Sequence, residues 1–408
     1  MLELDEYRRI NFSSAYDVGD SLYVSHGLFN GLLKINKSNG QVIYVKKFPN
    51  ESAVRNGMGM HGRVFRHGDE LIFTPDVASG VHIYNLNSGE LQHYPVDSGT
   101  VMKSRCIDAI LEGDKLWLFY AYSGEAVVVF DLKTKKQNKI WTIRDGFPEE
   151  IRQRNLPVFW SCFQKTGRKI YGVIWGSCYF VEFDIDTKKS VTHKVDDEDI
   201  KLVSVVYDGQ SFWFTKLHSI NVIKWESKTG EVTEYECNLG YENQALVNCN
   251  IICHNGKILV VPNLGEELLI VDKSEKKLKK FCDLPGNMRG FDDVRKNWRR
   301  FFFYDIITDD TLRLYPVGVD MMLDINLETA VVCGYKFELD ESWDDDKYKK
   351  EVVYDYIDEF TSKQYLAEKK ELGLKEYLDY VTYAKTSRGI GDTTNIGKHI
   401  WENVSKDL

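Results

Sequence analysis

Apolar residues along this chain fall in short runs separated by tight polar turns, and the runs recur in a fixed order. An apolar stretch leads into a Gly-Asp or Asp/Asn-Gly turn and then into a run of aliphatic and aromatic residues. A loop of variable length follows, then a second apolar strand ending in Asp or Asn, a polar turn and an alternating strand. The first turn appears as Gly19-Asp20, Gly68-Asp69, Gly113-Asp114, Gly167-Arg168, Asp208-Gly209 and Asn255-Gly256, with a degenerate copy at Asp309-Asp310. Anchors at 19, 68, 113, 167, 209, 256 and 310 lie 49, 45, 54, 42, 47 and 54 residues apart.

The second turn starts at Asn36, Asn85, Asp131, Asp184, Glu226, Asp272 and Asn326. Gly and Asn accept positive φ at such turns, and Asp and Ser bond back to the backbone. A unit of four short strands, repeated seven times, predicts an all-β fold: a seven-bladed β-propeller of four-stranded blades over residues 1–337. Burial of each blade between two neighbours explains why Leu116-Trp117-Leu118-Phe119-Tyr120 is apolar throughout instead of alternating.

From about residue 338 the period becomes helical. Val353, Tyr356, Ile357 and Phe360, then Leu374, Tyr377, Leu378 and Val381, and finally Ile396, Ile400 and Val404 recur at helical spacing. Residues 338–408 are therefore expected to form a helical C-terminal extension packed on or beside the propeller, with the last helix able to dock on a protein partner.

The blade pattern resembles the quinoprotein-like and YVTN-type repeat propellers, whose repeats carry an aspartate, a Thr-Gly turn and a following aromatic. Asp131, Thr134 and Trp141 match that spacing, as do Asn85, Ser88-Gly89 and Tyr94, and the resemblance covers about residues 11–337. Most blades lack the tryptophan and nothing marks a quinone or calcium site, so the resemblance implies a fold and no dehydrogenase activity.

Charge refines this picture. The chain has 408 residues and a net charge of −9. Residues 338–408 hold 17 acids and 11 bases, so most of the charge lies in the extension and the propeller is nearly neutral. That balance argues against nucleic acid as a partner. No apolar run is long enough to span a membrane, and the acidic start Met1-Leu2-Glu3-Leu4 lacks a signal-peptide pattern, so a cytoplasmic location is expected. The eight cysteines contain no C-x-x-C pair and read as small buried hydrophobes.

In a propeller, blade-to-blade links share one face with the loops between second and third strands. Those links hold 10 of the 16 arginines. A planar guanidinium fork suits carboxylate or phosphate. The expected function is non-catalytic recognition of an anionic or glycan-like ligand, an anionic small molecule or saccharide, on this Arg- and aromatic-rich face, with neither cofactor nor metal. Arg63, Arg105, Arg299 and Arg300 would pair charge, Asn248 and Asn250 would orient the ligand, Trp160, Trp175 and Tyr120 would stack on it, and His26 lies among them.

One alternative is a propeller lyase or hydrolase acting on a saccharide or lactone, with His61 or His218 as general base. Another is a protein–protein interaction scaffold using the outer blade edges and the tail. Gly57-Met58-Gly59-Met60-His61-Gly62 fits G-x-G-x-x-G, but it precedes an inner strand instead of a helix, so no dinucleotide site follows. It is expected to aim His61 and Arg63 at the central axis or a ligand. Donors from separate blades, His26, His61 and His218 with Asp76, would be the ligands of a metal site if one were present.

Overall fold

The computed structural model describes residues 12–27, 30–51, 60–97, 106–120, 126–142, 146–153, 163–195, 200–237, 249–262, 267–285, 301–316 and 321–339. The helical extension expected after 338 lies, from residue 340 on, outside the described residues.

Among the described residues the elements are strands apart from one short helix, α1 (Glu149–Arg152). They form successive antiparallel meanders. The first is β1 (Phe12–Val18), β2 (Ser21–His26), β3 (Leu32–Asn36) and β4 (Gln41–Lys46); the second is β5 (His61–His67), β6 (Glu70–Pro75), β7 (Gly80–Asn85) and β8 (Leu91–Pro95). The third is β9 (Cys106–Glu112), β10 (Lys115–Tyr120), β11 (Ala126–Asp131) and β12 (Lys136–Thr142), and the fourth is β13 (Gln164–Thr166), β14 (Lys169–Val173), β15 (Tyr179–Asp184) and β16 (Ser190–Lys194). Next come β17 (Leu202–Tyr207), β18 (Phe212–Lys216), β19 (Val222–Trp225) and β20 (Val232–Cys237), then β21 (Cys249–His254), β22 (Lys257–Pro262), β23 (Glu267–Asp272) and β24 (Lys277–Asp283). The last comprises β25 (Phe301–Thr308), β26 (Thr311–Pro316), β27 (Met321–Asn326) and β28 (Val332–Lys336), followed by β29 (Glu338–Leu339).

Hydrogen bonding does not divide these strands into seven separate sheets. The parallel pairs Glu236↔Lys277 and Cys237↔Leu278 join β20 to β24, merging the fifth and sixth meanders into one eight-stranded sheet. The other described strands form four four-stranded sheets and one five-stranded sheet. The five-stranded sheet arises because β29 pairs in parallel with β4, Glu338 opposite Gln41 and Leu339 opposite Val42. The boundary read from sequence at 338 thus falls on a strand that completes the first sheet.

The result is propeller-like. The first strands lie side by side, β1 against both β5 and β25, β5 against β9, and β17 against β21. Apolar clusters fill the gap between each meander and the next. Phe73 and Leu71 meet Tyr23 and Leu32, Trp117 and Val127 meet Ile170 and Val181, and Leu259 and Leu268 meet Leu314 and Leu323. Tyr315 and Met322 of the last meander meet Phe12 and Leu33 of the first. Strands two and three face a neighbour on both sides, which is why their runs are apolar throughout.

The turns between first and second and between third and fourth strands define a lower end, and the remaining loops and links an upper end. Lower turns satisfy themselves. Asn85 Oδ1 accepts from the backbone N–H of Asn87 at 3.0 Å and Ser88 at 2.9 Å; Asp131, Asp184, Asp272 and Asn326 do the same two and three residues ahead. The two turns of a meander are also tied together, Leu86 N–H to Asp69 O and Leu132 N–H to Asp114 O, both at 2.8 Å.

Arg313 carries the closure between last and first meanders. Its Nε and Nη2 grip both Asp324 oxygens at 2.6 and 2.7 Å while Nη1 reaches Asp17 of β1. Burial works against the charge, but the Asp324 hydrogen bonds and the two carboxylates outweigh it and hold the guanidinium pKa above its ordinary value.

At the upper end the first strands carry a repeated irregularity. Registers slip between Phe12 and Ser14, His61 and Val64, Leu202 and Ser204, and Phe301 and Phe303, and β9 slips opposite Tyr120. One extra residue in the strand reverses which side its next side chains face.

Candidate functional site

The upper end of the second meander departs from its neighbours. Three residues before the second turn, where the other meanders carry Leu33, Val128, Val181, Ile223, Leu269 and Leu323, the second carries His82, fully buried. The residue just above the inner-strand slip is Phe12, Cys106 or Leu202 elsewhere, all buried, and here it is His61. A buried polar group costs free energy unless it is hydrogen-bonded, and these two bond to each other, His61 Nε2 to His82 Nδ1 at 2.9 Å with rings nearly perpendicular.

The chain of bonds has a direction. His82 Nε2 lies 3.0 Å from Pro49 O, which only accepts, so Nε2 carries the proton and Nδ1 accepts from His61 Nε2–H. His61 Nδ1 then accepts from Ser25 Oγ–H at 2.7 Å. Phe48, its ring 4.3 Å from that of His61, and Phe73 close the pair from water. Buried Asn30 clamps the link in place: its Nδ2 donates to Phe48 O and Glu51 O at 3.0 and 3.1 Å, and its Oδ1 accepts from Phe48 N–H.

Beyond His82 the polar row continues. Ser79 donates its amide and hydroxyl to Glu51 Oε1, each at 2.6 Å, and its Oγ lies 3.0 Å from His93 Nε2. Burial lowers the His93 pKa, with the Glu51 charge opposing. Among the described residues, Glu51, His82 and His93 bring three ligand-type atoms within 4.8 Å of one another.

The sequence candidates are placed as follows. Arg63 reaches across to the third meander. Its Nε bonds Asp108 Oδ1 at 2.5 Å, and Asp108, nearly inaccessible, also accepts from the backbone N–H of Ala109 and Phe163 at 2.8 and 2.6 Å. The slip between His61 and Val64 sends His61 toward the first meander and Arg63 toward the third, where unbroken alternation would put both on one side. Tyr120 is buried between second and third meanders, and burial pushes its hydroxyl pKa well up. Burial likewise keeps the Cys106 thiol protonated.

His26 is buried at the end of β2, and Asp76, just beyond β6, is buried with its amide on Met60 O. Trp175 and Asn250 are half-buried at upper ends, and His218 is exposed on left-handed backbone with φ 59°. Arg105, Trp160, Asn248, Arg299 and Arg300 lie outside the described residues. Of the described cysteines, Cys106, Cys237 and Cys282 are buried, Cys178 and Cys253 half-buried and Cys333 exposed, all as free thiols.

Glu51, Ser79, His82 and His93 were missed by the sequence reading. The signal that finds His82 is its apolar slot, occupied by Leu, Val or Ile in every other repeat. At the lower end, a groove of about 470 Å³ between third and fourth meanders is charged but internally paired, Lys133 with Asp114 at 2.5 Å and Arg168 with Asp186 at 2.6 Å.

No protein-family model matches the chain, and no curated protein matches it. Solved structures do. A streptogramin B lyase is 12% identical, with 68% of this chain on 83% of that one at a TM-score of 0.47. The extracellular domain of a one-component system from B. thetaiotaomicron is 14% identical at a TM-score of 0.49, with 76% of this chain on only 38% of that protein's length. A chain of the mitotic checkpoint complex is 12% identical, with 83% of this chain on 89% of that one at a TM-score of 0.50. At 12% identity the likeness to the checkpoint-complex chain supports the propeller fold alone. Among the described residues no helix is long and apolar enough to cross a membrane.

Proposed function

We propose that this chain is a non-catalytic binding propeller of seven blades, the eight-stranded sheet counting as two, that takes an anionic or glycan-like ligand on its upper face. The observation that carries this choice is the wiring of His61. It is fully buried with both ring nitrogens committed, to Ser25 and to His82, so it has no lone pair to lend a substrate as general base, and His218, the other candidate base, is exposed and is tested by the turnover assays below.

Recognition falls to groups nearer the surface. Trp175 offers a ring and Asn250 an amide, and Arg105, Arg299 and Arg300 belong by sequence to the upper links. Arg63, held by Asp108, positions meanders and is not assigned to the ligand. The cytoplasmic location and the helical packing of the segment beyond 340 stand as parts of the same proposal.

The test is calorimetric titration with glucuronate and galacturonate oligomers and with inorganic phosphate, beside turnover assays on the same sugars. We expect saturable binding without turnover, weakened at least about tenfold by Trp175→Ala or Arg105→Ala. Turnover, or affinity unchanged in both variants, overturns it. A second reading, a protein scaffold, is favoured by exposed apolar side chains on outer strands or their edges, Ile43 at 47%, Val191 at 51%, Val331 at 55% and Tyr335 at 40% exposure. Loss of a co-purifying partner in Ile43→Asp and Tyr335→Asp would select that reading.

A further inference from the structure

We propose that Glu51, His82 and His93 form a binding site for a first-row divalent cation of the zinc type, which pins the link between the first two meanders onto the outer strands of the second. Two imidazoles and a carboxylate are a donor set that zinc takes readily. His82 Nε2 and His93 Nε2 stand 4.0 and 3.8 Å from Glu51 Oε1. Ligand atoms around a tetrahedral zinc are about 3.3 Å apart, so each of these edges closes by roughly half an ångström or slightly more. All three side chains are at least nine-tenths buried, with exposures of 2% for Glu51, 0% for His82 and 7% for His93.

The supporting groups fit ligation. Ser79 holds the carboxylate through two donors, and Asn30 fixes the backbone on which Glu51 sits. A Cβ on Gly80 would come within 2.8 Å of His93 Nε2, so the bare glycine leaves that nitrogen room. Each ligating imidazole must give up its present Nε2 contact, His82 with Pro49 O and His93 with Ser79 Oγ, present a lone pair there and carry its proton on Nδ1. For His82 this reverses the relay without gain or loss of protons: His82 Nδ1–H donates to His61 Nε2, His61 Nδ1–H donates to Ser25 Oγ, and Ser25 turns its own hydrogen to another acceptor. His93 Nδ1 lies 3.3 Å from the Asn50 amide, which presents its oxygen when turned end for end. The two histidines in otherwise apolar slots thus become a ligand and its orienting partner.

The experiment uses the full chain, stripped with EDTA, and titrates it with Co²⁺ while recording d–d absorption and with Zn²⁺ while recording melting temperature. One equivalent of Co²⁺ with a four-coordinate visible band, and a rise in melting temperature with Zn²⁺, are expected. Glu51→Gln and His93→Gln should each weaken Co²⁺ binding at least about 100-fold, and Ser79→Ala or His61→Phe about 10- to 100-fold, while all keep the wild-type far-UV spectrum in EDTA. Should one ligand variant fail to fold, the other and Ser79→Ala carry the test. Wild-type protein without the visible band, or uptake that survives both ligand substitutions, overturns the proposal.

Discussion

The lower and upper ends of these meanders solve the same problem, unpaired polar groups where strands stop, in opposite ways. At the lower end the second turns are satisfied mainly by residues two or three positions away, as Asn85 bonds Asn87 and Ser88, and links between meanders such as His67 to Asp114 and His254 to Asp309 O are additions to that local pattern. At the upper end the partners come from different meanders: Ser25 from the first, His61 and His82 from the second, Asp108 from the third with Phe163 ahead of the fourth. Local satisfaction makes a turn independent of its neighbours. Distributed satisfaction couples them, so the two ends should respond differently to substitution.

Arg313 sharpens the comparison most, because it sits in the lower half yet reaches between meanders. Arg313→Ala leaves Asp324 without its cation and Asp17 with Lys37 alone, and should cost about 3–5 kcal/mol in urea unfolding. A loss under about 1 kcal/mol would mean that closure of the ring does not depend on this ion. Next, Asp108→Ala strands Arg63 and two backbone donors and should cost about 2–4 kcal/mol. At the histidine pair the informative quantity is coupling. His61→Phe and His82→Leu should each destabilise by about 1–3 kcal/mol, but the double variant, which restores the apolar pattern of the other repeats, should recover most of the sum. Plain additivity would break the contrast.

Lower-end substitutions should be small and additive. Asn85→Ala and Asn326→Ala should each cost about 0.5–1 kcal/mol, summing within error in the pair. The smallest effect is one of pH. Burial lowers the His193 pKa, with Glu182 opposing, so the unfolded chain binds a proton there before the folded one does. The contribution of His193 to stability is therefore fully present above about pH 6.5, its ordinary value, and declines as pH falls from there toward the depressed folded pKa. In His193→Gln the melting temperature should fall less steeply over that window.

What the sequence made legible follows the same division. Turn chemistry is local, so the repeating Asx and Gly positions gave the strand count of each unit and the all-β architecture. The merged eight-stranded sheet was hidden because two parallel residue pairs at the end of β20 leave no periodic trace. The site was hidden for two reasons. Its members are brought together from Ser25 to His93 by tertiary packing, and the slip at His61 reverses the facing that alternation assigns. His82 was visible in principle, since Val81-His82-Ile83 places a polar residue where every sister repeat has an aliphatic one. Arg63 shows the converse, a residue chosen for its charge whose guanidinium pairs with Asp108, a partner that its spacing in the sequence does not announce.

The pairing of β29 with β4 has a consequence for the order of folding. The outer edge of the first sheet is completed by residues 338 and 339, so a chain growing from its amino terminus makes β1 to β4 first yet leaves β4 exposed until almost the entire described chain has been synthesised. Contacts of such sequence separation form slowly, and an open strand edge is a site where unfinished chains join one another. Gly40, where an added Cβ would come within 2.6 Å of Lys336 O, sits where the late segment must slide into place. The seam is thus the last stitch of the ring, and the rate at which it is drawn closed sets how long each new molecule remains open to its neighbours.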